Sequence, residues 1–169
     1  ALMRMEALQA VGGYRDSLIA GEEPELCVRL RSAGWEVWRL PEEMTWHDAA
    51  ITRFSQWWRR TRRAGHAYAE GAALHGRPPE RHNVAALRRS LIWGAALPVS
   101  VPLLALVSPG LAALPVLAWA GQFARLAWRT RDPARAALLM LGKIAEAQGA
   151  TDYALGRLRG KGRGLIEYK

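Results

Sequence analysis

The 169-residue chain carries a formal net charge of +9 and a sequence pI near 10.7, which points to an anionic partner: nucleic acid, a phospholipid surface or a phosphorylated substrate. Its single cysteine, Cys27, excludes an intramolecular disulfide and a Cys-rich metal site, and reads as a small buried hydrophobe on a helix. Composition shifts sharply along the chain, which excludes one water-soluble core as a description of the whole.

The start, Ala1-Leu2-Met3-Arg4, has neither an initiating Met nor a signal-peptide pattern, and reads as an internal start within a longer chain. A short strand or turn leads into a helix over residues 5–10, stopped by Gly12-Gly13, and residues 14–21 form a loop. From Glu22 the apolar positions Leu26 and Leu30, with Cys27 beside them, share one helical face as far as about Ser32. Pro24 sits in the first turn, where its missing N–H costs nothing, and Gly34 is a stop. Residues 35–40, Trp-Glu-Val-Trp-Arg-Leu, alternate with a period of two up to Pro41 and read as a strand, so helix, Gly turn and strand give an α/β grammar. Residues 51–74 form a second helix, and Gly76-Arg77-Pro78-Pro79 breaks it and marks a boundary.

No charged side chain occurs from Ser90 to Ala124, a run long enough for about two short spans when one needs roughly 20 residues. Ser108-Pro109-Gly110 divides it into a hairpin of residues 90–107 and 111–128. Arg88 and Arg89 precede it and Arg125, Arg129 and Arg131 follow it, while the central turn has no basic residue; the positive-inside rule then puts both ends on the cytoplasmic side. Pro98, Pro102 and Pro115 also allow a buried hairpin of a soluble α-domain or a re-entrant pair. Residues 134–158 set Leu138, Leu141, Ile144, Ala145, Leu155 and Leu158 opposite Lys143, Glu146, Arg157 and Arg159, as an amphipathic helix on a membrane surface would.

Three groups of residues could carry chemistry. Glu22, Glu23 and Glu25 share one helical turn, so at most two can face a substrate; a general base and a dipole-matched cap are both compatible with that placement. His47-Asp48 follows the strand and could ligate a metal or bind a phosphate oxygen, or His47 could be a structural hydrogen bonder. His66, His75 and His82 lack metal-ligand spacing and read as exposed or linker residues. Gln56-Trp57-Trp58-Arg59-Arg60 mixes flat aromatic surface with fixed positive charge. That mixture suits sugar stacking with phosphate pairing, single-stranded nucleic acid, or Trp side chains dipping into an anionic lipid interface.

Together these segments resemble the C-terminal portion of family 2 glycosyltransferases, which have a GT-A nucleotide-sugar domain often followed by membrane helices. Gly21-Glu22-Glu23-Pro24-Glu25-Leu26 with Arg29-Leu30-Arg31 and Gly34-Trp35 is similar to the family's Glu-Asp motif. The resemblance implies that Glu23, standing where Asp is usual, is the catalytic base, with Glu22 supporting the pocket and Glu25 on the helix surface or capping. Gln56-Trp57-Trp58-Arg59-Arg60 is similar to the Gln-x-x-Arg-Trp motif, with Arg60 in place of Trp. This implies that Gln56, Trp57, Trp58, Arg59 and Arg60 bind substrate, and favours transfer of one sugar over processive polymerisation. His47 resembles a His placed near the metal and diphosphate.

The implied architecture is an α/β fragment, the C-terminal acceptor-side part of a GT-A domain, over residues 1–86. A mostly α membrane hairpin follows over 87–130, then an amphipathic interfacial helix and basic tail over 131–169. The implied activity is inverting transfer from a nucleotide-sugar donor to a lipid-linked or envelope-polysaccharide acceptor at the cytoplasmic face of the inner membrane. A divalent metal, Mg or Mn, would be held mostly by an Asp-x-Asp strand upstream, so the chain alone would supply half a site. Membrane lipids are expected partners; nucleic acid is not, because a soluble nucleic-acid binder leaves the uncharged run unexplained. The alternative is a non-enzymatic membrane protein that binds anionic lipid or a partner through its basic Trp-rich helix.

Overall fold

The computed structural model describes residues 2–41 and 50–160. It is 72% helical with no strand among the described residues, so the expected α/β fragment is overturned and the architecture is all-α. The expected strand has an irregular backbone over residues 35–40; Trp38 is 78% exposed, and its Nε1 donates to Glu36 Oε2 at 2.9 Å. Period-two alternation marks a face, but a strand also needs a neighbour to pair its backbone N–H and C=O groups. Among the described residues no such neighbour exists.

The N-terminal part pairs α1 (Met5–Ala10) with α2 (Glu22–Ser32). Gly21 starts α2 at φ +84°, a left-handed conformation open to glycine, and Glu22, Glu23 and Glu25 place negative charge where the helix dipole is positive. Leu26 and Leu30 project onto Ala7, with Met3, Leu8, Val11 and Trp35 around them. Arg29 ties the pair together: its Nη1 donates to the Val11 carbonyl at 2.5 Å and its Nη2 to that of Gly13 at 2.7 Å.

The remaining helices form a second packed group. α3 (Phe54–His75) pairs most extensively with α7 (Pro133–Leu158). Between them in sequence, α4 (Val84–Leu91), a π-helical turn (Ile92–Ala96) and α5 (Leu97–Ala105) run as one 22-residue element, and α6 (Pro109–Thr130) returns against α5. The π turn lies just before Pro98, whose missing N–H and bulky ring would otherwise strain the preceding helical turn. At about 1.5 Å per residue each 22-residue element is about 33 Å long, enough to cross a hydrocarbon core of about 30 Å. An apolar 18-residue window of each is only 11% buried, and Leu103 and Leu117 are 59% and 65% exposed, so these helices are apolar without covering a soluble core.

The α3–α7 crossing brings backbone onto backbone. A Cβ at Gly65 would overlap the Glu146 carbonyl, and one at Gly149 would overlap the Arg62 carbonyl. Around that contact α7 buries Ala145, Ala147 and Ala150, while Leu138, Leu139 and Leu141 on the same helix stay exposed. The buried Glu146 carboxylate accepts from the Ser90 hydroxyl and from Lys143 Nζ, the latter at 2.7 Å, and so links α7 to α4.

Candidate active site

α2 meets α3 through its N-terminal turn. Arg63 of α3 donates to the Ile19 carbonyl, and a Cβ at Gly21 would stand 3.5 Å from that of Ala67. Immediately beyond, Glu22 is half-buried, while Glu23 is exposed and makes no hydrogen bond or ion pair among the described residues. A carboxylate so placed can accept a proton from a substrate hydroxyl, since no internal cation holds it.

Glu25 departs from the helix-surface or capping role expected of it. Its side chain is 2% exposed, and it is the centre of a charged cluster. Arg15 Nε lies 2.7 Å from Oε1, Arg29 Nε spans both oxygens at 3.0 and 2.9 Å, and His75 Nε2 lies 2.9 Å from Oε1. Burial alone would raise the Glu25 pKa; hydrogen bonds from Arg29 and His75 and the charges of Arg29 and Arg15 outweigh it and hold the carboxyl below its ordinary value. Of the three acids, Glu25 is therefore the structural one, pinning α2 to the end of α3. His75 is correspondingly not a linker residue, and neither is His66, whose side chain is 12% exposed. His82 is half-buried and stands edge-on to His75 at 6.4 Å between ring centroids; burial and the nearby His75 lower its pKa.

The Gln56-to-Arg60 segment lies in the first two turns of α3. Gln56 Oε1 accepts from the backbone N–H groups of Thr52 and Arg53, both at 3.0 Å, so its carbonyl caps the helix. Trp57 packs over Gly142 of α7, and Trp58 Nε1 donates to Gln148 Oε1 at 3.1 Å, with Phe54 against both indoles. Arg59 and Arg60 are exposed and form no ion pair among the described residues. These residues do not converge on the Glu22–Glu23 corner. Ala67, beside that corner, lies 7 to 11 residues further along α3, a separation of roughly 10 to 16 Å. His47 lies outside the described residues.

Two residues of α3, His66 and Glu70, were not anticipated. The available signal was that Glu70 is the only acid in the α3 sequence, spaced i,i+4 from His66 in a helix rich in Arg. Among the described residues no group of three or more His, Cys, Asp or Glu side chains could hold a metal ion.

Over 38 residues the chain is 53% identical to the succinoglycan biosynthesis protein ExoA of Rhizobium meliloti (strain 1021). That stretch is 22% of this chain and 12% of ExoA, so the chain matches a small part of that protein's length. No family model and no solved structure matches the chain.

Proposed function

We propose that this chain is the acceptor-side part of a membrane-bound glycosyltransferase of polysaccharide biosynthesis. It would serve inverting transfer from a nucleotide-sugar donor to a lipid-linked or envelope-polysaccharide acceptor. The observation that carries the reading is the 53% identity to ExoA, a protein named for succinoglycan biosynthesis. Two apolar 22-residue helices support a membrane location, and Arg88, Arg89, Arg125, Arg129 and Arg131 at their outer ends support a cytoplasmic site.

In this reading the exposed Glu23 carboxylate takes the proton of the acceptor hydroxyl as that oxygen attacks the anomeric carbon. The bond to the donor's diphosphate breaks on the opposite face, and the diphosphate leaves with the electron pair. Glu22 supports the turn that presents Glu23. Trp57, Trp58, Arg59 and Arg60, about two to three helical turns away along α3, suit the remote part of a long acceptor that bears phosphate, because exposed guanidinium groups pair with phosphate oxygens. Gln56 contributes by fixing the start of that helix. The described residues offer no three-ligand cluster, so a divalent cation supporting the diphosphate would take its ligands from other parts of the protein.

The test is Glu23→Gln in the full-length protein, assayed for transfer of labelled sugar from a panel of nucleotide sugars into membrane acceptors. Loss of about a hundredfold or more in kcat with unchanged donor binding is expected for a missing general base. Turnover near wild type removes Glu23 from the mechanism. The exposed Arg59 and Arg60 beside Trp57 and Trp58 favour one other reading, a non-enzymatic protein that grips anionic lipid. Absence of transfer from every nucleotide sugar, with salt-sensitive binding to anionic vesicles, would select it.

A further inference from the structure

The turn between α6 and α7 gathers positive charge that the fold leaves unneutralised. Between Arg125 and Arg135 stand four arginines, Arg125, Arg129, Arg131 and Arg135, against one acid, Asp132, and all five residues are exposed. None of the arginine side chains forms an ion pair among the described residues. The Asp132 carboxylate is engaged elsewhere: its Oδ1 accepts from the Arg135 backbone N–H at 3.0 Å and so caps α7. Thr130 fixes the turn, its hydroxyl donating to the Leu126 carbonyl at 2.9 Å and accepting from the Asp132 backbone N–H at 3.3 Å.

Two of these arginines frame a cleft. Arg129 and Arg131, with Ala127 and Trp128, line an open cleft of about 530 Å³, within the roughly 300–1,000 Å³ of small-ligand sites. Trp128 is 86% exposed and has no hydrogen-bond or ring partner among the described residues. The other indoles of the helical group are held by the fold: Trp119 Nε1 donates to the Trp93 carbonyl at 3.1 Å, Trp57 packs over Gly142 and Trp58 binds Gln148. Arg131 stands at φ +52°, the left-handed conformation that ends many helices and that glycine adopts with least strain. The backbone would be better served by glycine; the chain places a guanidinium there instead.

The depth of this cleft matches a headgroup layer. With Pro109 at one edge of the hydrocarbon, Trp128 lies roughly 28 Å along α6 at about 1.5 Å per residue, close to the core thickness of about 30 Å. That is the level at which indole rings settle. Arg129 and Arg131 then meet the phosphate layer, and Arg125, one helical turn before Arg129, reaches towards it along its apolar stem. Membrane topology alone requires positive charge near a helix end. It requires neither an unpartnered indole beside that charge nor an arginine in a left-handed backbone.

We propose that the α6–α7 corner binds the headgroup of an anionic phospholipid, Arg129 and Arg131 pairing with its phosphate oxygens and Trp128 lying beside the glycerol and upper acyl chain. Guanidinium groups match phosphate oxygens in geometry as well as charge. The excess of cations disfavours a zwitterionic headgroup, whose own ammonium would face the arginines, and the exposed indole offers apolar surface that a soluble phosphate does not cover. Because α7 starts at this corner and packs along α3, a bound headgroup ties that packing to the membrane surface. The assignment needs the hairpin in a membrane but not the glycosyltransfer reading, so loss of one does not entail loss of the other.

The test is lipid retention by the full-length protein, purified in mixed micelles of phosphatidylglycerol and phosphatidylcholine and weighed with its bound lipid by native mass spectrometry. Wild type should retain phosphatidylglycerol over phosphatidylcholine by about tenfold, and because each guanidinium near an anionic surface contributes about fivefold, Arg129→Gln with Arg131→Gln should lower that retention by roughly thirtyfold. Arg88→Gln with Arg89→Gln makes the same charge change at the other outer end of the hairpin and should leave retention within about threefold. Equal losses from the two pairs, or equal retention of the two lipids, would overturn the site. Displacement of phosphatidylglycerol by millimolar inorganic phosphate would make it a free-anion site and overturn the lipid assignment. Arg131→Gly gives a second reading should the double variant not fold, since it eases the backbone while removing the guanidinium. Its thermal midpoint should hold or rise while phosphatidylglycerol retention falls by about fivefold; a lower midpoint with unchanged retention would make Arg131 a structural cap and overturn the proposal.

Discussion

Replacing Glu25 by Gln tests whether α2 is held by charge or by its leucines. The substitution keeps the side-chain shape and one acceptor oxygen but removes the charge that Arg15, Arg29 and His75 surround. The Arg29 guanidinium, 15% exposed, would keep its bonds to the Val11 and Gly13 carbonyls and lose its counter-ion. Breaking a buried pair in this way costs about 3–5 kcal/mol. The Arg15 arm, 42% exposed, adds no more than about 1 kcal/mol. Because Gln still accepts a hydrogen bond, the lower end applies, and a loss of about 3 kcal/mol is expected at neutral pH. The pH dependence has a definite sign. The Glu25 pKa lies below the ordinary value of 4.5, so its contribution is present above that value and is lost as pH falls through the folded-state pKa. Thermal unfolding of the detergent-purified chain by circular dichroism, together with amide exchange of Glu22–Ser32, measures both effects. A variant matching wild type at neutral pH, or a wild-type advantage that persists unchanged in acid, would refute the idea that this cluster docks α2.

The α3–α7 crossing and the hairpin give two further expectations. Gly149→Leu must push the Arg62 carbonyl away, so it should cost at least about 3 kcal/mol and raise proteolysis at the α3 arginines, whereas Gly121→Ala in α6, with open space around its new Cβ, should be neutral or gain about 0.4–1 kcal/mol; equal effects at the two sites would show that the close approach is not what holds the helices. Membranes carrying the chain, washed at alkaline pH, should retain it in the pellet, because Val84–Ala105 and Pro109–Thr130 are each long enough to span; release into the supernatant would exclude an integral hairpin.

Local signals made most helices readable. Pro24 in the first turn and Gly34 beyond the end bracket Glu22–Ser32, and the uncharged run with its Ser108-Pro109-Gly110 break marks the two apolar elements, although α4 starts earlier, at Val84. What failed depended on distant partners. The segment at 35–40 has a strand's alternation, but no described segment completes its ladder. Glu25 could not be separated from Glu22 and Glu23 by spacing, because its burial is decided by His75, 50 residues away, and by Arg15, 10 residues before it. Glu70, among the arginines of α3, carries no sequence signal of its state for the same reason: burial, and then the charge of Glu22, raise its pKa, and both depend on tertiary packing.

The face that α7 packs against α3 is not its leucine face. Leu138 and Leu141 belong to the apolar face expected to lie on a membrane surface. They are 41% and 37% exposed, while Gly142, Ala145, Gly149 and Ala150 of the same helix are buried. Where backbones touch, as Gly149 and Gly65 allow, the contact gains dispersion energy from many close atoms without large side chains, the mode by which helices associate inside lipid. The leucines are then free for an apolar solvent, and the same helix can join α3 on one side and meet a membrane on the other. That division would set the Glu22–Glu23 corner, carried by the α3 end of this packing, at a fixed offset from the bilayer, as the proposed transfer to a lipid-linked acceptor requires.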